Sequence, residues 1–398
     1  MRKRLIVIFS MVAMLASCSA WSAAEEVMAV VPPLVDIDLP PRQAAPATPP
    51  MEGNLEAVTP ADENTDENVQ QAAPTEQPEM FQVLEPTAAP APSPSPYTTI
   101  TISAAGDTTL GGDPRWRGYH QFMRIYEENG VEFFLQNVRD IFAADDLTIL
   151  NLEGALTYAE EHMDKPFAFR GPPHFAQILS TAYVDVVTIA NNHTIDFFDI
   201  GYRDTIAALE AEGIAYFGNE FNTIMEINGI NVGLFGFRIW GDYSGNRSRI
   251  TAAINDLQER GAQLIIAYHH WGVENSNMPE QYQRNIGRFT IDQGAHLVLG
   301  AHPHVLQGIE VHNGRNIVYS LGNFSFGGNA HPPDFDTMIF QQTFTFYNGG
   351  LLDTNDTNII PAHISSTRAY NNFQPTPAEG DEAERILGRI ETFSRWLE

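Results

Sequence analysis

Apolar runs of strand length stop, one after another, on a carboxylate, an amide or an imidazole. Asp107 follows the β-branched run over 98–105, and Glu153 follows the run over 147–152. Asn191-Asn192-His193 closes the run over 184–190, and His269-His270-Trp271 closes the run over 264–268. Gly300-Ala301-His302-Pro303-His304 closes the run over 295–299. Between these runs the apolar spacing turns helical, over 131–144, 175–182, 202–212 (with Gly213 as its cap), 250–260 and 282–293. Alternation of this kind predicts an α/β fold, with a parallel or mixed sheet covered by helices. Asn228-Gly229 and Asn313-Gly314 each sit between apolar runs and predict two hairpins, hence antiparallel edges or a second sheet. In open α/β sheets the carboxyl ends of the strands share one edge, so the polar tips are expected to meet there.

The first 96 residues lack this pattern. Arg2, Lys3 and Arg4 precede an apolar run over 5–16 that is too short to span a bilayer comfortably, the layout of a secretory signal. The run ends in Leu15-Ala16-Ser17-Cys18, which resembles a bacterial lipobox, so 1–17 reads as a lipoprotein signal peptide and Cys18 as the acylated residue. An ordinary signal peptide or an uncleaved anchor are the alternatives. Cys18 is the sole cysteine, so no internal disulfide can form. Residues 18–96 are rich in Pro, Ala and Glu and show no apolar periodicity, the composition of a disordered tether. A lipid-anchored protein on the extracytoplasmic face of the cell membrane is the expectation. The folded part is expected over 97–348, followed by a C-terminal extension over 349–398 that closes with an amphipathic helix over 383–397.

The formal net charge of −28 argues against nucleic-acid binding, which needs a basic patch to neutralise phosphates. An anionic ligand has to be met locally, by metal ions or by a few arginines, against the field of the whole molecule.

Asp107, Glu153, Asn192, His270, His302 and His304 are the donor types that a hard-to-borderline divalent ion takes: carboxylate, amide oxygen and neutral imidazole, without thiolate. One carboxylate between two ions can bridge them, and such ions can polarise a phosphoryl or acyl oxygen and acidify a bound water. His302 and His304, two apart on extended chain, are expected to point to one side. Asp196 either orients His193 or caps the next helix. Glu274 is either a base beside the site or a solvated loop residue, and Arg170 either meets an anion or forms a surface ion pair. Trp271 stacks a ligand or covers the end of the sheet, and Ser320 and Asn323 either bond a ligand or build a turn. His269 is expected to face away from His270.

The order Gly106-Asp107, Asn151-Leu152-Glu153-Gly154, Asn191-Asn192-His193, His270-Trp271-Gly272-Val273-Glu274, Gly300-Ala301-His302-Pro303-His304 and Ser320-Leu321-Gly322-Asn323-Phe324 resembles the CapA family. Its members are membrane-attached proteins of poly-γ-glutamate capsule synthesis and export, and the likeness runs from about residue 99 to 346. That family in turn resembles the calcineurin-like metallophosphoesterases. The resemblance implies a metallophosphoesterase-type sandwich of two mixed sheets flanked by helices. It also implies one or two divalent ions (Mn, Fe, Zn or Mg) held by Asp107, Glu153, Asn192, His270, His302 and His304. His193 takes the place of the proton donor, and Asp196 stands beside it. The implied partners are the membrane, an anionic polymer such as poly-γ-glutamate, and membrane-embedded capsule synthesis subunits. Two departures stand out: Asp107-Thr108-Thr109 replaces the usual Asp-x-His, and the bridge is Glu153 rather than an aspartate. A metal-dependent hydrolase and a non-catalytic scaffold on the same fold are therefore both compatible with the motifs.

Overall fold

The structure, a computed structural model, describes residues 95–398. The signal segment, Cys18 and the tether up to residue 94 lie outside the described residues. The fold opens with β1 (Tyr97–Thr109), α1 (Arg117–Asn129), α2 (Arg139–Ala144) and β2 (Leu147–Leu152). A small ribbon of β3 (Ala155–Leu156) and β4 (Arg170–Gly171) precedes α3 (Ala176–Ser180), β5 (Val186–Thr188), α4 (Phe198–Ala211) and β6 (Ala215–Phe217). There follow β7 (Thr223–Ile227), β8 (Ile230–Phe235), β9 (Arg238–Ile239), α5 (Ser244–Glu259), β10 (Leu264–Trp271), α6 (Gln281–Gln293) and β11 (Leu297–Ala301). Next are β12 (Ile309–His312), β13 (Arg315–Val318) and β14 (Asn323–Phe326). The chain closes with β15 (Asp336–Tyr347), β16 (Gly350–Leu351), β17 (Asp356–His363), β18 (Thr376–Pro377) and α7 (Gly380–Arg395).

These strands form two mixed sheets. The first runs β18-β17-β15-β1-β2-β5-β6, with β14 beside β1, and the second runs β12-β13-β11-β10-β8-β7, with β9 beside β10. β1, β2, β5 and β6 are mutually parallel, as are β8, β10, β11 and β13, and the antiparallel pairs lie on the flanks. Ile100, Ile102, Ile149 and Val186 from one sheet pack against Val232, Leu234, Ile266 and Leu299 from the other. The outward face of the first sheet is covered by Phe122 of α1, Phe142 of α2, Leu179 of α3 and Leu209 of α4. Ile250, Ile254 and Leu257 of α5 and Ile286 of α6 cover the second. The expected sandwich of two mixed sheets flanked by helices is the observed architecture.

Several local expectations are met. Asn228 and Gly229 have φ of 51° and 78°, and Asn313 and Gly314 have 50° and 75°, the positive pairs that a two-residue hairpin turn requires. Other local expectations are corrected. The helix expected over 131–144 is reduced to a 3-10 turn at Gln136–Val138 and the short α2. Phe134, Val138 and Phe142 are nonetheless fully buried, because helical spacing reports burial, and a bent turn satisfies that as well as a helix does. α1 is absent from the sequence-based expectations, although Tyr119, Phe122, Met123 and Tyr126 stand at the i, i+3, i+4, i+7 spacing of one helical face. The boundary expected after residue 348 is absent: β17 pairs with β15 from Asp336↔His363 to Thr343↔Asp356. Ile386, Ile390 and Phe393 of α7 enter the core between the sheets, each burial contributing about 1.5–3 kcal/mol. No helix among the described residues is long and apolar enough to cross a membrane.

Candidate metal centre

The parallel strands of both sheets end at one edge of the sandwich, and the polar residues that terminate them converge there. Gly106 permits the closest approach: a Cβ at this position would collide with the Gly322 carbonyl, to which the Asp107 N–H donates at 2.9 Å. The Asp107 carboxylate, fully buried, accepts from Asn151 Nδ2 at 2.8 Å and from the His302 backbone N–H at 3.2 and 3.3 Å. Asn151 is held in turn by Asn191 Nδ2, which donates to its Oδ1 at 3.0 Å.

Glu153 stands at the centre. Its Oε1 lies 3.5 Å from His270 Nε2 and 4.0 Å from His193 Nε2, and its Oε2 lies 3.9 Å from His304 Nδ1. His304 Nδ1 is also 2.9 Å from Asp107 Oδ2, close enough for charge attraction but not aligned as a hydrogen bond. His270 Nε2 is 2.6 Å from Asn192 Oδ1. All six residues expected to hold metal are thus brought together, with His193 and Asp196 beside them. They do not stand alike, however. Asp107, Asn192 and His270 already engage protein groups. Both oxygens of Glu153 and Nδ1 of His302 and His304 are buried with no hydrogen-bond partner. Buried polar atoms are nearly always satisfied, so these atoms, of which His304 Nδ1 has a charge partner in Asp107, point to a ligand held among them. Donor atoms of Glu153, His302 and His304 lie within 4.8 Å of one another, and this carboxylate–imidazole set fits a divalent ion.

One expectation about the backbone is corrected. His302 and His304 do not alternate on extended chain, since their φ values are 94° and 60°. Both occupy a conformation that costs a non-glycine residue energy, and this strained turn brings the two rings to one side.

The electrostatics follow from burial and crowding. Burial and the neighbouring Asp107, only partly opposed by His304, push the Glu153 carboxyl well above its ordinary range. Burial and the adjacent His304 hold His302 down to about 3, and burial drives His270 down as well. These two rings are neutral, as metal ligands must be. His304 goes the other way: burial opposes its charge, but Glu153 and Asp107 outweigh that and raise it to about 9. The pocket therefore attracts positive charge, carried by the imidazolium when no cation is bound.

His193 is held from three sides. Its Nδ1 lies 2.6 Å from Asp196 Oδ2, its ring stacks on Phe169 with centroids 4.0 Å apart, and its backbone N–H donates to Asn191 Oδ1. Asp196 orients the ring and is not a helix cap, since it also accepts from Lys165 Nζ at 2.6 Å and the Phe169 N–H at 2.7 Å. Burial, only partly offset by Asp196, lowers the His193 pKa. The ring is then neutral with Nδ1–H donated to Asp196, and Nε2 faces Glu153 as a lone pair that can accept a proton and return it.

The remaining candidates sort themselves. Trp271 is wholly buried, with its indole N–H donated to the Tyr319 carbonyl, and His269 packs against Phe235 and Phe237 on the far face of β10. Arg170 donates to the Tyr158 and Ala159 carbonyls rather than forming a surface ion pair. Ser320 bonds the Val305 carbonyl, whereas the buried Asn323 Oδ1 has no partner. Glu274 is exposed and lines a cleft of about 440 Å³ together with His193, His304, Phe169 and Trp116. Lys165 and Phe169 carry no sequence signal beyond their proximity in the chain to other polar residues, and only the fold brings them to His193.

A family model described as bacterial capsule synthesis protein PGA_cap matches residues 101–328, more than half of the chain. The chain is 28% identical over 308 residues to the PGA biosynthesis protein CapA of Bacillus subtilis (strain 168), covering 71% of this chain and 72% of that protein. It is 26% identical over 314 residues to the capsule biosynthesis protein CapA of Bacillus anthracis, covering 71% and 74%. A hypothetical protein of known structure from Thermus thermophilus aligns with a TM-score of 0.40 at 16% identity, over 66% of this chain and 99% of that one. With the motif set gathered at one sheet edge and the family model spanning the strands that deliver it, the chain belongs to the bacterial capsule synthesis protein PGA_cap family.

Proposed function

We propose that this protein serves the synthesis, export or attachment of a poly-γ-glutamate-type capsule polymer from the outer face of the cell membrane, through a divalent-ion site. Family membership and the capsule-synthesis names of its relatives support the role. The observation that carries the site is Glu153, fully buried with both carboxylate oxygens accepting no hydrogen bond, beside His302 and His304, whose Nδ1 atoms make none either. Glu153, His302 and His304 hold the ion, with Asp107, Asn192 and His270 at its margin. Mn, Fe, Zn and Mg are the candidates. A bound divalent ion supplies Lewis acidity toward an acyl or phosphoryl oxygen and lowers the pKa of a coordinated water.

The protein's own groups do the rest. His193 takes up and returns a proton at Nε2. Asp196, itself held by Lys165, fixes its tautomer by accepting from Nδ1–H, and Phe169 covers one face of the ring. The Arg2-to-Cys18 layout supports a lipid anchor at Cys18, with membrane-embedded capsule subunits as neighbours. A Cys18→Ser chain that still partitions with membranes at unchanged size defeats the anchor.

The second reading is a metal-dependent phosphoester hydrolase, favoured by the His193–Asp196 pair within reach of the cluster. Metal analysis of the purified chain paired with a phosphodiester assay decides between them. Stoichiometric ion with turnover lost in His193→Ala supports the hydrolase, and stoichiometric ion without turnover supports the polymer role. No ion defeats the metal site and leaves a scaffold.

A further inference from the structure

In a chain with a net charge of −28, cations without partners are informative. Nearly every lysine and arginine among the described residues is held by a carboxylate, a carbonyl or an aromatic ring, as Arg115, Arg247, Arg288, Arg385 and Arg389 illustrate. Arg117 and Arg238 are the exceptions: both are exposed, and neither guanidinium has a hydrogen bond or ion pair among the described residues. Both stand at the candidate metal centre.

Arg117 opens α1 and lines the cleft that contains His193 and His304. A positive charge in the first turn opposes the helix dipole, so its place there does not serve the helix. The N-cap, Trp116, offers no side-chain hydrogen bond, so the uncapped N-terminus adds its own positive potential. Trp116 and Phe167, half exposed with ring centroids 5.7 Å apart, wall the same cleft.

Arg238 stands on the other flank. β9 pairs in parallel with β10 so that Arg238 is opposite His270 and Ile239 opposite Trp271. Ile239 and Trp271 both enter the core beneath the second sheet, so Arg238 shares the His270 face. Trp240 follows, its ring 4.7 Å from that of His302. Neither Arg238 nor Trp240 lines the Arg117 cleft. The cluster is therefore bracketed, with a free guanidinium and exposed aromatic surface on each side.

Resting on the polymer-handling reading above, we infer that Arg117 and Arg238 read anionic groups on the two flanks of the Glu153–His302–His304 cluster. The ligand then is a polycarboxylate chain that lies across the site, rather than a chain end or a single small anion. An acidic protein cannot gather such a chain by bulk attraction, and two guanidinium groups with no internal partner supply the local charge.

The test uses the full chain and fluorescently labelled poly-γ-glutamate, with affinity read by anisotropy at fixed ionic strength. Arg117→Gln and Arg238→Gln are each expected to weaken binding about tenfold, with roughly additive loss in the double variant. Arg117→Lys and Arg238→Lys recover part of it. Free glutamate is expected to respond to no more than one of the two substitutions. Polymer binding unchanged in either single variant, or a double variant no weaker than the worse single, overturns the inference. Uptake of Mn²⁺ is measured on the same proteins and is expected to stay at the wild-type level in the arginine variants. A wild-type chain that takes up no Mn²⁺ defeats the metal site while leaving the arginine readout intact.

Discussion

Replacing Glu153 by glutamine separates the two things this residue does. The side chain is fully buried, its oxygens accept no hydrogen bond, and burial beside Asp107 raises its pKa well above the ordinary range. Without a cation the charged form is disfavoured, so a neutral amide of the same shape changes stability by less than about 1 kcal/mol. With an ion the position matters far more, because the carboxylate is the one negatively charged donor in the free trio. An ion at one hundred times its dissociation constant stabilises the wild type by about 2.7 kcal/mol. At about 2–4 °C per kcal/mol for a domain of this order, that amounts to roughly 5–10 °C in Tm. Thermal unfolding followed by near-ultraviolet circular dichroism, with Mn²⁺, Zn²⁺ or Mg²⁺ against a chelator control, reads both quantities. Glu153→Gln is expected to melt close to the chelated wild type and to gain nothing from any ion. An equal ion-induced rise in both proteins refutes Glu153 as a ligand. A chelated variant destabilised by more than about 3 kcal/mol refutes the assignment of Glu153 as an unsatisfied group.

Donor atoms of Glu153, His302 and His304 lie within 4.8 Å of one another, so metal analysis after loading and desalting is expected to give one ion per chain; two ions would bring Asp107 and Asn192 in as full ligands. Asp336, where burial opposes ionisation but hydrogen bonds from Arg385, His363 and Arg389 prevail, keeps a folded-state pKa below the 3.8 of a free aspartate. A depressed carboxylate stabilises the fold fully above about pH 4 and loses that contribution as pH falls through the folded value, so urea midpoints decline in acid. Asp336→Asn is expected to cost about 3 kcal/mol at neutral pH and to flatten that decline, a small value for a buried pair because the Arg385 side chain is 40% exposed. Gly229→Ala, at φ 78° with open space where the methyl goes, is expected to cost about 1 kcal/mol in urea unfolding, all of it backbone strain. Lys165→Gln removes a charge that holds the His193 pKa down, so the His193 titration followed by NMR should move upward; a downward move contradicts the contact with Asp196.

The site was legible in the sequence where chemistry coincided with local pattern. A parallel strand buried on both faces writes a continuous apolar run, and its end is marked by the first residue that cannot be buried unpaired, which is how Asp107, Glu153, Asn192, His270 and His302 stand out. The Asn228-Gly229 and Asn313-Gly314 turns were legible for a similar reason, since only a few residue pairs tolerate two successive positive φ values. Arg238, Trp240, Lys165 and Phe169 carry no such mark. Each reaches the site through a register or a loop path settled by contacts far along the chain, as when the pairing of β9 with β10 sets Arg238 beside His270. The last fifty residues failed for the opposite reason. β17 lies near the edge of its sheet with exposed and half-buried positions over most of its length, so its apolar pattern is faint although its pairing with β15 is long.

Thr109 and Glu153, the two departures that the sequence resemblance marks, are coupled in the structure. Where that pattern carries a histidine, this chain has Thr109, whose hydroxyl donates to the Glu153 carbonyl at 2.8 Å. The Glu153 N–H donates to the Thr108 carbonyl at 2.9 Å, so the end of β1 holds the Glu153 backbone at both its N–H and its carbonyl. A backbone pinned to β1 leaves the carboxylate to bridge the distance to His270 and His304, which a glutamate reaches with one methylene more than an aspartate. The end of β1 thus clamps the Glu153 backbone, and the longer glutamate side chain suits that clamp. The free donors that remain converge on a single cluster, and the strained His302–His304 turn serves that cluster. The positive φ values of His302 and His304 set both rings beside Glu153 at the polar edge, so the strain there serves the cluster rather than the packing of the core.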